Sequence, residues 1–259
     1  MILTFQKSLL NFDVDEYDNI LGLFSDSHMN YHLFRDEIIE PTLLEMAEKA
    51  LVMMKKNAKG YVLLIEGGRI DHAHHETKPK LAMDETVQFH KVIELVKAQV
   101  NKEDTLILVT ADHSHTMTVS GYAVRGTDIL TMGDFSRTDH MPYFTLSYAN
   151  GPGYYDHFNE SGRINPIDMN YSDPNFMSPS HVPLSEETHG GDDVGVYAWG
   201  AHSHLFTGLY EQHYIAHAMM YATCLGPTEF LRAPACDAAF NIKSSIIQIM
   251  IFSFIAMIF

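Results

Sequence analysis

The run Tyr61-Val-Leu-Leu-Ile-Glu66-Gly-Gly-Arg-Ile-Asp71-His-Ala-His-His75 decides the fold. Its first five residues are apolar without a break, and they stop at a carboxylate, two glycines and a cluster of Asp and His. A strand with apolar residues on both faces has to be covered on both faces, which is the mark of a parallel sheet lying between helices. A second run, Thr105-Leu-Ile-Leu-Val-Thr110, has the same character and stops at Ala111-Asp112-His113-Ser-His115. Between the two, Phe89, Ile93, Val96 and Val100 recur at helical spacing. Strand, helix and strand in that order predict a parallel βαβ unit and an α/β fold.

Working outward, Pro41 opens a further helix with Leu44, Ala47, Leu51 and Met54 along one face, and Asn57 to Gly60 ends it. More strands are expected at 143–148 and 194–199, and a helix over 211–223. Between 118 and 187 the pattern loosens into Gly, Pro, Asn, Asp and Tyr. That stretch reads as a surface insertion crossed by one core strand. No internal repeat is evident.

At 259 residues the chain is long enough for one large α/β domain or two small ones. Its 17 Lys and Arg stand against 33 Asp and Glu, a formal charge of −16. Such a surface repels nucleic-acid phosphates, so nucleic acid is excluded as a partner. It does not exclude a small phosphate ester, because bound metal ions can supply a local positive field. A single one of the 16 histidines would pass as a surface residue; clusters at ligand spacing would not.

The chemistry lies where the apolar strands stop, which is where ligands bind in open α/β sheets. Asp71 and His75 are four apart and share one face of a helix, as a carboxylate and an imidazole must to bind one ion. Asp112 and His113 are adjacent, so their side chains converge only from a turn. A third cluster, Glu186-Glu-Thr-His189-Gly-Gly-Asp-Asp193, precedes the expected strand at 194, and its glycines let the backbone approach a ligand. Each cluster alone could be an exposed polar loop; three of them, two at the ends of buried strands, point to metal.

These three motifs, in this order and at this spacing, resemble the C-terminal metal motifs of animal alkaline phosphatases. The resemblance runs from about residue 21 to about 225. It implies an alkaline-phosphatase-like sandwich with a mostly parallel central sheet flanked by helices. Residues 1–235 would be the C-terminal portion of the catalytic domain, with a crown-like insertion over about 118–187. It further implies that Asp71, His75 and His189 bind a first zinc ion, Asp112 and His113 a second, and Glu66 magnesium. His72 would stand behind the ligands. The segment from Phe24 to Glu40 is similar to the family's calcium segment, with Ser25 where a carboxylate is expected, Asp26 beside it, and Glu40 in place of an Asp. Phe24 and Glu40 are the residues that likeness gives to calcium. Two zinc ions about 4 Å apart would clamp the attacking and leaving oxygens while a serine is phosphorylated and then hydrolysed.

The family's nucleophilic serine, the Asp before it, its phosphate-binding arginine and further magnesium ligands belong to an N-terminal half with no counterpart here. Asp26-Ser27-His28 is the nearest substitute and has the wrong surroundings. The expectation is therefore a phosphate-monoester hydrolase, homodimeric when full length, of which this chain alone is inactive. The alternative is a catalytically dead surface protein of the same fold that binds metal or partners.

The ends carry separate expectations. Asn159-Glu-Ser161 and Asn170-Tyr-Ser172 are glycosylation sequons. No secretory signal is seen at the start. The last stretch, IIQIMIFSFIAMIF, is shorter than the roughly 20 residues of a membrane-spanning helix. Small residues at Asp237-Ala-Ala and a polar spacer precede it, so 236–259 reads as a glycolipid-anchor signal attached near Asp237, which puts the protein on the outer cell surface. A buried C-terminal strand or helix is the competing reading. Cys224 and Cys236 flank the Gly226-Pro227 turn. They are ordinary thiols if the chain is cytosolic and one local disulfide if it is extracellular.

Overall fold

The computed structural model describes residues 1–226 and the backbone of Gln248–Ser253. Helix α1 (Leu43–Met54) leads to strand β1 (Val62–Glu66), the short helix α2 (Arg69–His75), the long helix α3 (Pro79–Gln99) and strand β2 (Thr105–Thr110). Thr42, one residue after Pro41, caps α1. Its hydroxyl accepts from the Glu45 amide at 3.1 Å and the Glu45 carboxylate accepts from the Thr42 amide at 2.7 Å, a reciprocal capping box. Helix α3 begins ten residues before Phe89, the first position marked by the apolar spacing, because Pro79 is pre-set for a first helical turn.

After β2 the chain makes β3 (Ser114–His115), β4 (Met117–Val119), β5 (Met132–Phe135), β6 (Pro142–Phe144), β7 (Leu146–Gly151), β8 (Ser180–Pro183), β9 (His189–Gly190) and β10 (Tyr197–Gly200). Helix α4 (His213–Thr223) and strand β11 (Gln248–Ser253) follow.

The central sheet has the order β10-β2-β11-β1. β2, β11 and β1 run parallel and β10 is antiparallel to β2. The two strands of the expected βαβ unit are therefore parallel but not neighbours. β11 lies between them, with Ile251 in register with Leu64 on one side and Leu108 on the other. This strand comes from the apolar stretch within 236–259; residues 227–247, Cys236 and Asp237 among them, and 254–259 lie outside the described residues. Among the described residues, no helix is long and apolar enough to cross a membrane. Cys224 sits in the left-handed conformation that caps α4 and is not a free thiol.

Helices cover the sheet on both faces. Ala47 and Leu51 of α1 and Phe89, Val92 and Val96 of α3 pack on Ile65 and Ile107. On the other face Ala218 and Ala222 of α4 pack with Phe206 against Leu106 and Leu108. Alternate residues of β2 thus serve two cores, as the period-two geometry of a strand requires.

The stretch 118–187 differs from a loose surface insertion with one strand. It contains a three-stranded sheet, β8-β7-β4, and a hairpin of β5 with β6. Thr145 separates β6 from β7, so the strand expected at 143–148 is two strands in two sheets. This insertion docks on the end of α2. The Ser178 amide donates to the Thr77 carbonyl at 2.8 Å, and an added Cβ on Gly153 would lie 1.9 Å from the Ser178 carbonyl oxygen.

Candidate metal centre

Helix α2 turns the residues after β1 back under the sheet end. It places Asp71 and His75 one turn apart, with His75 Nε2 3.3 Å from Asp71 Oδ1. Strands β3 and β9 pair antiparallel with His189 opposite His115, which carries the third motif to the first two. Gly190 makes that approach close: a Cβ there would stand 2.3 Å from the Ser114 hydroxyl. Gly191 has open space around it, so only one of the two glycines is needed for contact.

His189 Nε2 then lies 3.3 Å from Asp71 Oδ1 and 3.1 Å from His75 Nε2. Three ligand atoms of the predicted first set form a near-equilateral triangle. Around a tetrahedral zinc with bonds of about 2.0–2.1 Å, neighbouring ligand atoms stand about 3.3 Å apart, so the triangle has the right size for one ion. Asp112 and His113 are also together, with His113 Nε2 3.2 Å from Asp112 Oδ2. The other oxygen of Asp112 is buried without a partner, which an oxygen-seeking cation would correct. His113 stacks on His189 with ring centroids 3.4 Å apart, so the two predicted zinc sets adjoin.

Glu66 and His72 belong to a different space. They line a cavity of about 280 Å³ with Gly67, Arg69, His28 and Glu85, whereas Asp71, Asp112 and His113 line one of about 350 Å³. His72 Nδ1 accepts from the Arg69 guanidinium at 2.7 Å, and burial together with that cation holds the ring's pKa below its ordinary value. The guanidinium itself lies 3.8 Å over the Tyr31 ring, a cation–π contact that fixes it.

The calcium-like segment is arranged for its own loop. Glu40 is buried, and its carboxylate accepts from the Asn30 amide at 2.9 Å, the Asn30 side chain at 3.1 Å and the Asp36 amide at 3.3 Å. The Phe24 side chain packs with Leu3, Leu9 and Phe12. Ser25 and Asp26 are exposed. Glu40 joins no cluster of three or more His, Cys, Asp or Glu side chains among the described residues. Asn159 and Asn170 are both exposed.

Four further residues belong to the centre, and the motif reading assigned them no role. His115 Nε2 is 3.0 Å from Asp71 Oδ1 while its Nδ1 is 2.7 Å from the Glu187 carboxylate. Burial works against charge on this ring, but the hydrogen bonds to Asp71 and Glu187 outweigh it and raise its pKa to about 9. For Asp71 burial favours the neutral acid, yet the His115 hydrogen bond and the neighbouring imidazoles bring it down to about 2. His74 stacks on His115 at 4.7 Å and meets the buried Tyr148 hydroxyl at 2.9 Å. Burial and the charge on His115 push His74 down to about 4, which leaves it neutral. Spacing alone holds part of this signal: His113 and His115 are two apart, as residues sharing one side of a strand are. By proximity Asp71, His113, His115 and His189 also form a group. A second group brings His75, His115 and Glu187 together, so His115 stands between the two imidazole–carboxylate clusters.

A mostly parallel sheet ending in a nest of imidazoles and carboxylates gives an α/β protein with a candidate metal site where its strands stop. The chain matches the alkaline phosphatase family over residues 2–225, and it belongs to that family. It is 42% identical over 222 residues to a membrane-bound alkaline phosphatase of Bombyx mori, covering 86% of this chain and 40% of that one. To the tissue-nonspecific alkaline phosphatase of Homo sapiens it is 43% identical over 234 residues, covering 90% and 44%. The chain therefore spans less than half the length of these relatives. Among solved structures, a cold-active alkaline phosphatase from a psychrophilic Shewanella superposes with a TM-score of 0.51 at 22% identity, over 85% of this chain and 58% of that one, a likeness of fold.

Proposed function

We propose that this chain is the metal-holding part of an enzyme that hydrolyses phosphate monoesters through a phosphoserine intermediate, using two zinc ions and one magnesium ion. The observation that carries the reading is the triangle of Asp71 Oδ1, His75 Nε2 and His189 Nε2, with sides of 3.1 to 3.3 Å. In this reading these three hold one zinc, Asp112 and His113 contribute to the second, and Glu66 contributes to magnesium from the neighbouring cavity. When bound, such ions supply the positive charge that stabilises the attacking and leaving oxygens of an in-line phosphoryl displacement.

The chain's own residues prepare that site. Asp71 is held ionised by its imidazole neighbours, and a deprotonated carboxylate is the form that binds metal. His72 is kept neutral and fixed by Arg69, beside Glu66. The nucleophilic serine and the phosphate-binding arginine belong, in this reading, to the remaining length of the protein. So do further ligands of the second zinc and of magnesium. The exposed sequons at Asn159 and Asn170 accord with the membrane-bound naming of the silkworm relative. They support an enzyme on the outer cell surface, a homodimer when complete.

Replacing His189 with Ala tests the reading. In the 259-residue chain, metal analysis should show one zinc fewer per chain. Joined to the remaining length of an animal relative, the variant should lose about three orders of magnitude in turnover of a chromogenic phosphate ester, since a ligand acts as part of a unit. Unchanged zinc content in His189→Ala would refute the assignment.

A further inference from the structure

The residue that ties the three motifs together is not one of the ligands. Glu187 is among the most deeply buried side chains, 1% exposed, and it touches two imidazoles of the centre through both backbone and side chain. Its amide donates to the His75 carbonyl at 2.9 Å, and its own carbonyl accepts from His75 Nδ1. One carboxylate oxygen accepts from His115 Nδ1 at 2.7 Å. The other accepts from the Thr116 amide at 2.6 Å and the Thr116 hydroxyl at 2.7 Å. A carboxylate so deep is tolerated only when its oxygens are satisfied, and here both are.

From these contacts we infer that Glu187 is a positioning residue that decides which imidazoles bind metal. The inference rests on the zinc reading of Asp71, His75 and His189. His75 gives its Nδ1 hydrogen to the Glu187 carbonyl, so Nε2, the nitrogen in the triangle, is the one left with a lone pair. His115 gives its Nδ1 hydrogen to the Glu187 carboxylate, and its Nε2 stands 3.0 Å from Asp71 Oδ1. It therefore orients the carboxylate instead of competing for the ion. Thr116 is the anchor: its two hydrogen bonds hold the far oxygen, so the near one cannot swing away from His115. The insertion seals the arrangement, since a Cβ on Gly151 would stand 3.1 Å from the Glu187 Cβ. Outer partners of this kind commonly change metal affinity by about 10- to 100-fold.

The test is zinc affinity of the full 259-residue chain, measured by competition with a chromogenic chelator, alongside the absorption spectrum of the cobalt-substituted protein. Glu187→Gln keeps the volume and one acceptor oxygen, so zinc binding should weaken about 10-fold and the cobalt bands should shift. Glu187→Ala should weaken it about 100-fold. Thr116→Val leaves the carboxylate in place and removes only the hydroxyl anchor. It should weaken zinc by a few-fold with a melting temperature close to wild type, and it decides the matter if the Glu187 variants fail to fold. His189→Ala is the control. If it loses zinc while Glu187→Gln and Thr116→Val keep wild-type affinity and an unshifted cobalt spectrum, Glu187 is not a positioning residue and the zinc reading stands. If the wild-type chain binds no zinc, the zinc reading fails and this inference fails with it.

Discussion

Strands β1 and β2 carry the same kind of apolar run and end in the same kind of polar cluster, yet they are buried to different depths. Leu106, Ile107 and Leu108 of β2 are at most 2% exposed, with α1 and α3 on one face and α4 on the other. In β1 only one face is closed: Ile65 is 6% exposed, while Val62 and Leu64 are 51% and 46% exposed. An unbroken apolar run states what a strand needs covered; it does not state whether the residues at hand cover it. The chain spans 40% and 44% of its silkworm and human relatives, and one face of β1 is open in the length described.

The largest effect expected from this contrast is on β2. Leu108→Ala removes a side chain packed on α4 and leaves a cavity, which should cost about 2–5 kcal/mol. Urea unfolding of the 259-residue chain measures it, as a lower midpoint at unchanged slope. A cost below about 1 kcal/mol would mean that β2 is no better covered than β1.

A second test asks whether the two strand ends meet. Asp71 follows β1 and His115 follows β2, and they are 3.0 Å apart. The Asp71 pKa is lowered from 3.8 to about 2, so its contribution is full above pH 3.8 and is lost as pH falls through about 2. The His115 pKa is raised from 6.5 to about 9, so its contribution is full below pH 6.5 and is lost as pH rises through about 9. The metal-free chain should therefore be most stable between pH 3.8 and 6.5 on account of this pair. It should lose on the order of 3 kcal/mol by pH 9.5. Urea midpoints at pH 5.5 and 9.5 check this, and His115→Gln should flatten the difference. An equal slope in both proteins would show that the two ends are not coupled.

Most of the centre was legible in the sequence because its signals are local. The four-residue spacing of Asp71 and His75 is a helical face, and both residues stand on α2. The sharp end of β2 at Thr110 delivers Asp112 and His113 into a turn. What was illegible depends on partners far along the chain. Glu187 meets Thr116 across 71 positions and His115 across 72, and no periodicity reports such a pairing. The same holds for β11, whose place between β1 and β2 splits a unit that the helical crossover implies is contiguous. The calcium-like segment adds a further case: residue identity put Glu40 forward, and its hydrogen bonds from Asn30 and Asp36 are contacts no spacing reports.

The smallest effect belongs to Leu64. Its side chain lies on the half-open face of β1, so truncation to Ala opens no enclosed cavity and removes only partly shielded surface. At roughly 25 cal/mol for each Å² of apolar area, a half-exposed leucine should cost less than about 1 kcal/mol on truncation. In the 259-residue chain Leu64→Ala should therefore shift the urea midpoint far less than Leu108→Ala. The informative step is to repeat the pair after joining the chain to the remaining length of an animal relative. If that length closes the open face, the Leu64→Ala cost should rise toward the 2–5 kcal/mol of a core position, while Leu108→Ala stays as it was. A Leu64 cost that does not move would leave the β1 face at the surface of the whole protein. The asymmetry between the strands would then belong to the fold, independent of how much of the protein is present.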